Sequence, residues 1–151
     1  MAECPVSYLS KVMAISNETC LLIGGAIDIK QTKVFPYVFQ ANQDGNLERK
    51  TNMLQARAAF GCHLDKASKR VYVIGGSINQ DEATDQCEVY DIKKDKWSPL
   101  PSLDVNICSS SAITLGEFEA GSKYLFSFGG ITKNEGELNI ISNIFRLDLE
   151  F

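Results

Sequence analysis

Few residues in this chain could do chemistry. His63 is the single histidine among 151 residues, with Cys62 beside it and Asp65 two positions on. A thiol, a base and a carboxylate this close could make a nucleophilic group, because such a nucleophile needs a base within reach. In a strand, however, neighbouring side chains leave on opposite faces, so Cys62 and His63 would diverge. His63 therefore reads as a strand residue near a hairpin rather than a catalytic base. Cysteines fall at 4, 20, 62, 87 and 108, an odd number with no CxxC pair. Structural zinc sites draw on such pairs and on histidines, so these thiols read as small reduced hydrophobes. Asp81, Glu82 and Asp85 could imitate a metal loop, but the glycine and the terminal glutamate of a calcium loop are missing. No GxxxxGK[ST] or GxGxxG phosphate loop occurs. The expectation is no catalytic residue, no cofactor and no metal within these residues.

The elements that would position these groups are set by composition and pattern. Apolar residues make up 44% and charged residues 23%, as in a folded globular domain. Fifteen basic against nineteen acidic side chains leave a net charge of −4, which disfavours a nucleic-acid partner. Apolar runs are far too short to enter a bilayer, so no membrane insertion is expected. The first fifteen residues include Glu3 and Lys11 where a signal peptide needs an apolar core. The expectation is a cytoplasmic domain, in which the sequon Asn17-Glu18-Thr19 is only a polar turn.

Self-similarity dominates the sequence. CLLIGG, VYVIGG and LFSFGG place glycine pairs at 24, 75 and 129, giving spacings of 51 and 54 residues. Aromatics follow at Phe39, Tyr90 and Phe145, and the run MLQARAAFGC at 53–62 lies 50 residues before LDVNICSSSA at 103–112. Three markers in one register near fifty residues define a repeat. Within each period, apolar and β-branched clusters alternate with turn signals, and no helical period competes. The second unit predicts strands near 56–64, 70–76, 86–91 and 95–99. The first predicts 10–15, 20–25, 34–40 and 46–50, with Asp44-Gly45 as a hairpin signal. The third predicts 107–115, 123–130 and 142–149. Four short antiparallel strands per repeat describe a propeller blade.

The second unit, with Gly75 and Gly76, then Glu88-Val-Tyr90-Asp91, then Trp97, resembles a kelch repeat. In that family the glycine pair ends the second strand, the tyrosine lies on the third and the tryptophan on the fourth. Arg57 matches the arginine such repeats place in their first strand. Gly24 and Gly25 carry the motif in the first unit, where Leu47 is the nearest substitute for the tryptophan. Gly129 and Gly130 carry it in the third, with Ile107 in place of the arginine. The resemblance implies an all-β, partial kelch-type β-propeller of about three four-stranded blades, the third incomplete. The repeats are about 10–52, 53–105 and 106–151, in one segment 1–151 read as the N-terminal part of a longer propeller. The tryptophan of the third unit would fall just past Phe151, so further blades, from the same longer chain or a second chain, are expected to close the ring.

In such a blade the second-to-third and inter-blade loops share one face. Those at 26–33, 77–86 and 131–141 carry +1, −3 and −1, and those at 51–56 and 99–106 carry 0 and −1. The net negative charge therefore gathers there, and Asp81, Glu82, Asp85 and Asp104 are the candidate partner-binding residues, suited to a basic protein partner. The opposite turns hold Lys66, Lys69, Arg70, Lys93, Lys94 and Lys96 as a basic patch. The resemblance implies a non-catalytic protein-interaction scaffold, possible partners being cytoskeletal proteins. Two alternatives stand beside it: the substrate-recognition part of a ubiquitin-ligase adaptor, and a piece of a propeller enzyme whose active site lies in missing blades.

Overall fold

The computed structural model describes residues 8–116 and 123–149, so Cys4 lies outside the described residues. All regular elements among them are strands. The first sheet is a meander of β1 (Lys11–Ala14), β2 (Thr19–Ile23), β3 (Val38–Asn42) and β4 (Leu47–Lys50). The second repeats it with β5 (Gly61–Asp65), β6 (Arg70–Ile74), β7 (Cys87–Asp91) and β8 (Lys96–Leu100). The third has β9 (Ser111–Leu115), β10 (Tyr124–Asn134) and β11 (Glu137–Asp148), in the order β11-β10-β9. Every pairing is antiparallel. These are three blades of a partial propeller, the third with three strands.

The alternation of side chains explains the stacking. On β6, Val71 and Val73 face the first sheet, where they meet Leu21, Ile23 and Val38 together with Tyr90 and Trp97. Tyr72 and Ile74, one step out of phase, face the third sheet and pack with Cys87, Val89, Ile107 and Leu125. The middle blade is thus covered on both faces, and β6 reads as one continuous β-branched and aromatic run. Burying each such side chain stabilises by roughly 1.5–3 kcal/mol, and these two clusters hold the blades together. Turns carry their own signals. Gly45 takes φ +79° in the β3–β4 hairpin, and Asp65 accepts from the Ala67 N–H at 3.0 Å and the Ser68 hydroxyl at 2.9 Å in the β5–β6 turn.

Two expectations are overturned. The stretch 131–141 is not a long loop, because β10 runs past Gly129 and Gly130 to Asn134 and returns as β11. Its glycine pair makes a register shift inside the strand rather than ending it. The tip is a two-residue turn in which Glu135 and Gly136 both have positive φ, 50° and 84°, as tight hairpins require. Ile131, Thr132, Leu138 and Ile140 on its flanks are strand formers, and they extend the ladder. The second correction concerns the aromatics. Leu22 pairs with Phe39, Val73 with Glu88 and Ser127 with Phe145, so Phe39 and Phe145 are the counterparts of Glu88, not of Tyr90. Ala41 holds the Tyr90 position in the first blade, paired with Leu47 as Tyr90 is with Trp97.

Candidate functional site

The contacts between blades are built from the recurring residues. Gly24 and Gly75 have φ near +59° and +57°, and in each blade the neighbour's backbone presses on them. A Cβ on Gly24 would lie 2.7 Å from the Arg57 carbonyl oxygen, and one on Gly75 closer still to that of Ile107. Gly25 and Gly76 donate their N–H to those same carbonyls at 3.0 and 2.7 Å. No other residue type combines this φ with this approach. Gly129 and Gly130 share the backbone conformation, at φ 58° and 125°.

Arg57 and Glu88 form a fully buried ion pair within the second blade. Arg57 also donates to the carbonyls of Gly75 and Gln86, both at 2.7 Å. Glu88 accepts from the N–H groups of Leu54 at 2.8 Å and Gln55 at 3.1 Å. Burial pushes the guanidinium below its usual range while the Glu88 charge pulls it back up. Tyr90 and Trp97 stack at 4.9 Å between centroids, and the indole N–H donates to the Thr51 carbonyl at 3.0 Å. The Tyr90 hydroxyl donates to Asp95 at 2.5 Å, and Asp95 also accepts from the Thr51 N–H at 3.0 Å. Burial first, then the Asp95 carboxylate, raises the Tyr90 hydroxyl above its ordinary value.

The loop-rich face is shaped by the long hairpin. Its tip bends over the loop of the second blade, where the Gly136 N–H points to the Asp81 carbonyl at 3.5 Å. Lys133, only 9% exposed, donates to the Gln31 side chain at 3.2 Å and the Gln80 carbonyl at 3.4 Å, so one ammonium ties all three blades. Between hairpin and loop lies a cleft of about 660 Å³, lined by Ile78, Glu82, Ala83 and Asn106 on one side and 133–135 with Glu137 on the other. Glu82 is braced by Asn79, whose amide donates to it at 2.7 Å and whose carbonyl takes the Asp81 and Glu82 N–H groups. The structure brings Glu82 together with Glu135 and Glu137, with exposed Asp81 beside the turn. Asp85 and Asp104 do not line the cleft; the Asp85 carbonyl accepts the Leu103 N–H at 2.9 Å, and Asp104 is exposed.

The potential catalytic trio resolves differently. Cys62 pairs with Val73 and His63 with Tyr72 on adjacent positions of β5, so their side chains part. Burial pushes the Cys62 thiol up to about 12 and the Cys87 thiol up to about 11, which leaves both protonated and poor nucleophiles. Burial lowers His63, with Asp65 acting in the opposite sense. Among the described residues no three His, Cys, Asp or Glu side chains are grouped to hold a metal. Among them, too, no helix is long and apolar enough to cross a membrane.

Residues 68–103, the core of the second blade, match the family model for the kelch motif. The second blade carries a kelch motif. The chain is 34% identical over 88 residues to the F-box/kelch-repeat protein SKIP20 of Arabidopsis thaliana, covering 55% of this chain and 21% of that one. A second F-box/kelch-repeat protein of the same plant is 33% identical over 89 residues, 57% of this chain and 22% of its own. The chain spans about a fifth of the length of these relatives.

Within the kelch framework, sequence reasoning missed two things at the site. Glu135 and Glu137 counted only as loop charge, whereas the hairpin carries them to Glu82. Glu88 went unmatched to Arg57, although its place one strand across from Val73 follows from the register of β6 and β7.

Proposed function

We propose that this kelch segment is a non-catalytic protein-interaction module whose partner surface is the loop-rich face around the Glu82 cleft. The observation that carries the reading is the tip of the β10–β11 hairpin lying against the 77–86 loop, with Glu82, Glu135 and Glu137 opening onto one cleft. Rigid blades below and shaped, acidic loops above suit recognition of a basic protein segment. Asp81, Asp85 and Asp104 lie outside the lining and would add a wider negative field that speeds encounter. The cytoplasm, a reducing compartment, suits protonated thiols such as those of half-buried Cys62 and buried Cys87.

A second reading is that the module presents substrates to a ubiquitin ligase. The names of its relatives, which join an F-box to kelch repeats, favour this over a cytoskeletal role. Both readings use the same face. The test is capture of partners on the immobilised chain, followed by association kinetics with the partner obtained. Neutralising Asp81, Glu82 and Asp85 together should slow association and flatten its salt dependence, while folding stability moves by no more than about 0.5 kcal/mol. Unchanged association rates would remove this face and direct attention to the basic turns at Lys66, Lys69, Arg70, Lys93, Lys94 and Lys96.

A further inference from the structure

The loops that follow β2 and β6 fold alike but present different chemistry. After each glycine pair an isoleucine N–H closes the loop, Ile27 on the Lys33 carbonyl at 3.0 Å and Ile78 on the Glu82 carbonyl at 3.1 Å. Counted from that isoleucine, Ile29 holds the place of Gln80 and Gln31 that of Glu82. Ile78 is half-buried where it lines the acidic cleft, but Ile27 is 59% exposed and Ile29 69%. The position that carries a carboxylate on the second loop thus carries a neutral amide on the first, beside two β-branched side chains left in water.

The first loop is pinned, so its isoleucines are held out rather than left loose. Asp28 accepts from the Thr32 hydroxyl and from the Thr32 N–H at 3.0 Å, and its carbonyl takes the Gln31 N–H at 3.1 Å. Lys133 then holds the Gln31 side chain at 3.2 Å with the same ammonium that reaches the Gln80 carbonyl at 3.4 Å. One ammonium therefore fixes the isoleucines relative to the cleft. Ile29 lies two residues from Gln31, and Glu82 two residues from Gln80. Two-residue steps of at most about 7 Å, joined through that ammonium, keep Ile29 and Glu82 within roughly 25 Å, or about eight residues of extended chain.

We propose that the segment this face binds is bipartite: an apolar side chain seats on Ile27 and Ile29, and basic side chains further along the same segment enter the Glu82 cleft. The inference rests on the partner face proposed above and adds the chemistry which that face selects. Charge sets the register. Lys30, exposed next to Ile29, repels the basic part from the apolar seat, while Glu82, Glu135 and Glu137 draw it to the cleft. A purely basic segment would leave the isoleucines in water, and a purely apolar one would leave the cleft unused.

The test is selection of displayed random peptides on the immobilised chain. Wild-type protein should enrich peptides that carry an aliphatic or aromatic residue on one side of a Lys or Arg cluster. The double variant Ile27→Ser, Ile29→Ser should lose the apolar enrichment and keep the basic one, and Glu82→Gln should weaken the basic one. All three substitutions alter exposed side chains and should leave the Trp97 fluorescence unchanged. A peptide selected on the wild type, labelled and titrated by anisotropy, should bind the isoleucine variant about tenfold more weakly, the loss expected for uncovering part of two such side chains. Enrichment of basic residues alone overturns the bipartite segment and leaves the partner-face reading standing. Enrichment without basic residues, or none, overturns both. Equal affinity for the wild type and the isoleucine variant overturns the inference as well. So does a wild-type dimer in light scattering that the isoleucine substitutions turn into a monomer, since a second copy would then be the occupant.

Discussion

Replacing Arg57 by Met strands the Glu88 carboxylate in a site where both side chains are essentially without water. Two backbone N–H groups still point at it, but the full countercharge is gone and the Gly75 carbonyl loses its donor, while the Gln86 carbonyl keeps the Gly75 N–H at 3.0 Å. Breaking a buried pair from one side costs about 3–5 kcal/mol. Glu88→Leu strands the guanidinium instead and orphans the Leu54 and Gln55 N–H groups, at a similar cost. The double variant buries no charge. It leaves three backbone groups short of a partner, offset by two charges that no longer need desolvation, and should cost about 3–5 kcal/mol in total. The cycle should therefore close with a coupling of about 3–5 kcal/mol, at or above the upper end for residues in direct contact. The third blade shows that charge is not required at this place, since Ile107 and Phe145 occupy it and pack in the core. Urea denaturation followed by the fluorescence of Trp97, the only tryptophan, measures all four proteins. Single-variant costs that add within about 0.5 kcal/mol would refute the coupled, desolvated pair.

Trp97→Ala removes a ring that is 4% exposed and stacked on Tyr90, and should destabilise by about 3–5 kcal/mol in the same assay. A loss under about 1 kcal/mol would place that ring outside the core. Gly75→Ala combines a left-handed φ with a collision on the Ile107 carbonyl, so its melting temperature should fall well below that of Gly129→Ala, where only the φ is at fault in the single chain. Acid should loosen the junction of the first two blades. Burial alone would raise the Asp95 carboxyl, but its bonds from Tyr90 and Thr51 hold it below the ordinary value. A carboxyl lowered on folding stabilises above its unfolded pKa and loses that contribution as pH falls through the folded one. The wild type should therefore weaken across the acid side of that range in thermal melts, and Asp95→Asn should flatten that part of the profile.

What could be read in advance depended on how local each requirement was. The glycine pairs announce themselves because φ and close approach act at single residues, and the second blade was legible strand by strand because all of its pairing is with chain neighbours. The aromatics misled because their register depends on loop length. Fourteen residues separate β2 from β3 but twelve separate β6 from β7, so Phe39 slides two places from the tyrosine position. The hairpin that completes the cleft was hidden in Asn134-Glu135-Gly136, since glutamate is an uncommon occupant of a left-handed turn position, unlike asparagine or aspartate. The partner face depended on that one turn. Glu82 was visible as a charge, but its neighbours Glu135 and Glu137 arrive only through a ladder that the sequence pattern did not demand.

The middle blade's cover on both sides bears on how the molecule opens. In a one-dimensional array each unit is held by its own ladder and by its nearest neighbours, so a blade covered on both faces opens late. β6 and β7, with the ion pair and two cores around them, become the last amides to exchange, while β1 and β11 exchange early. A chain built this way has no single unfolding event that must come first at its centre. The slowest exchanging amides mark the blade against which the other two pack.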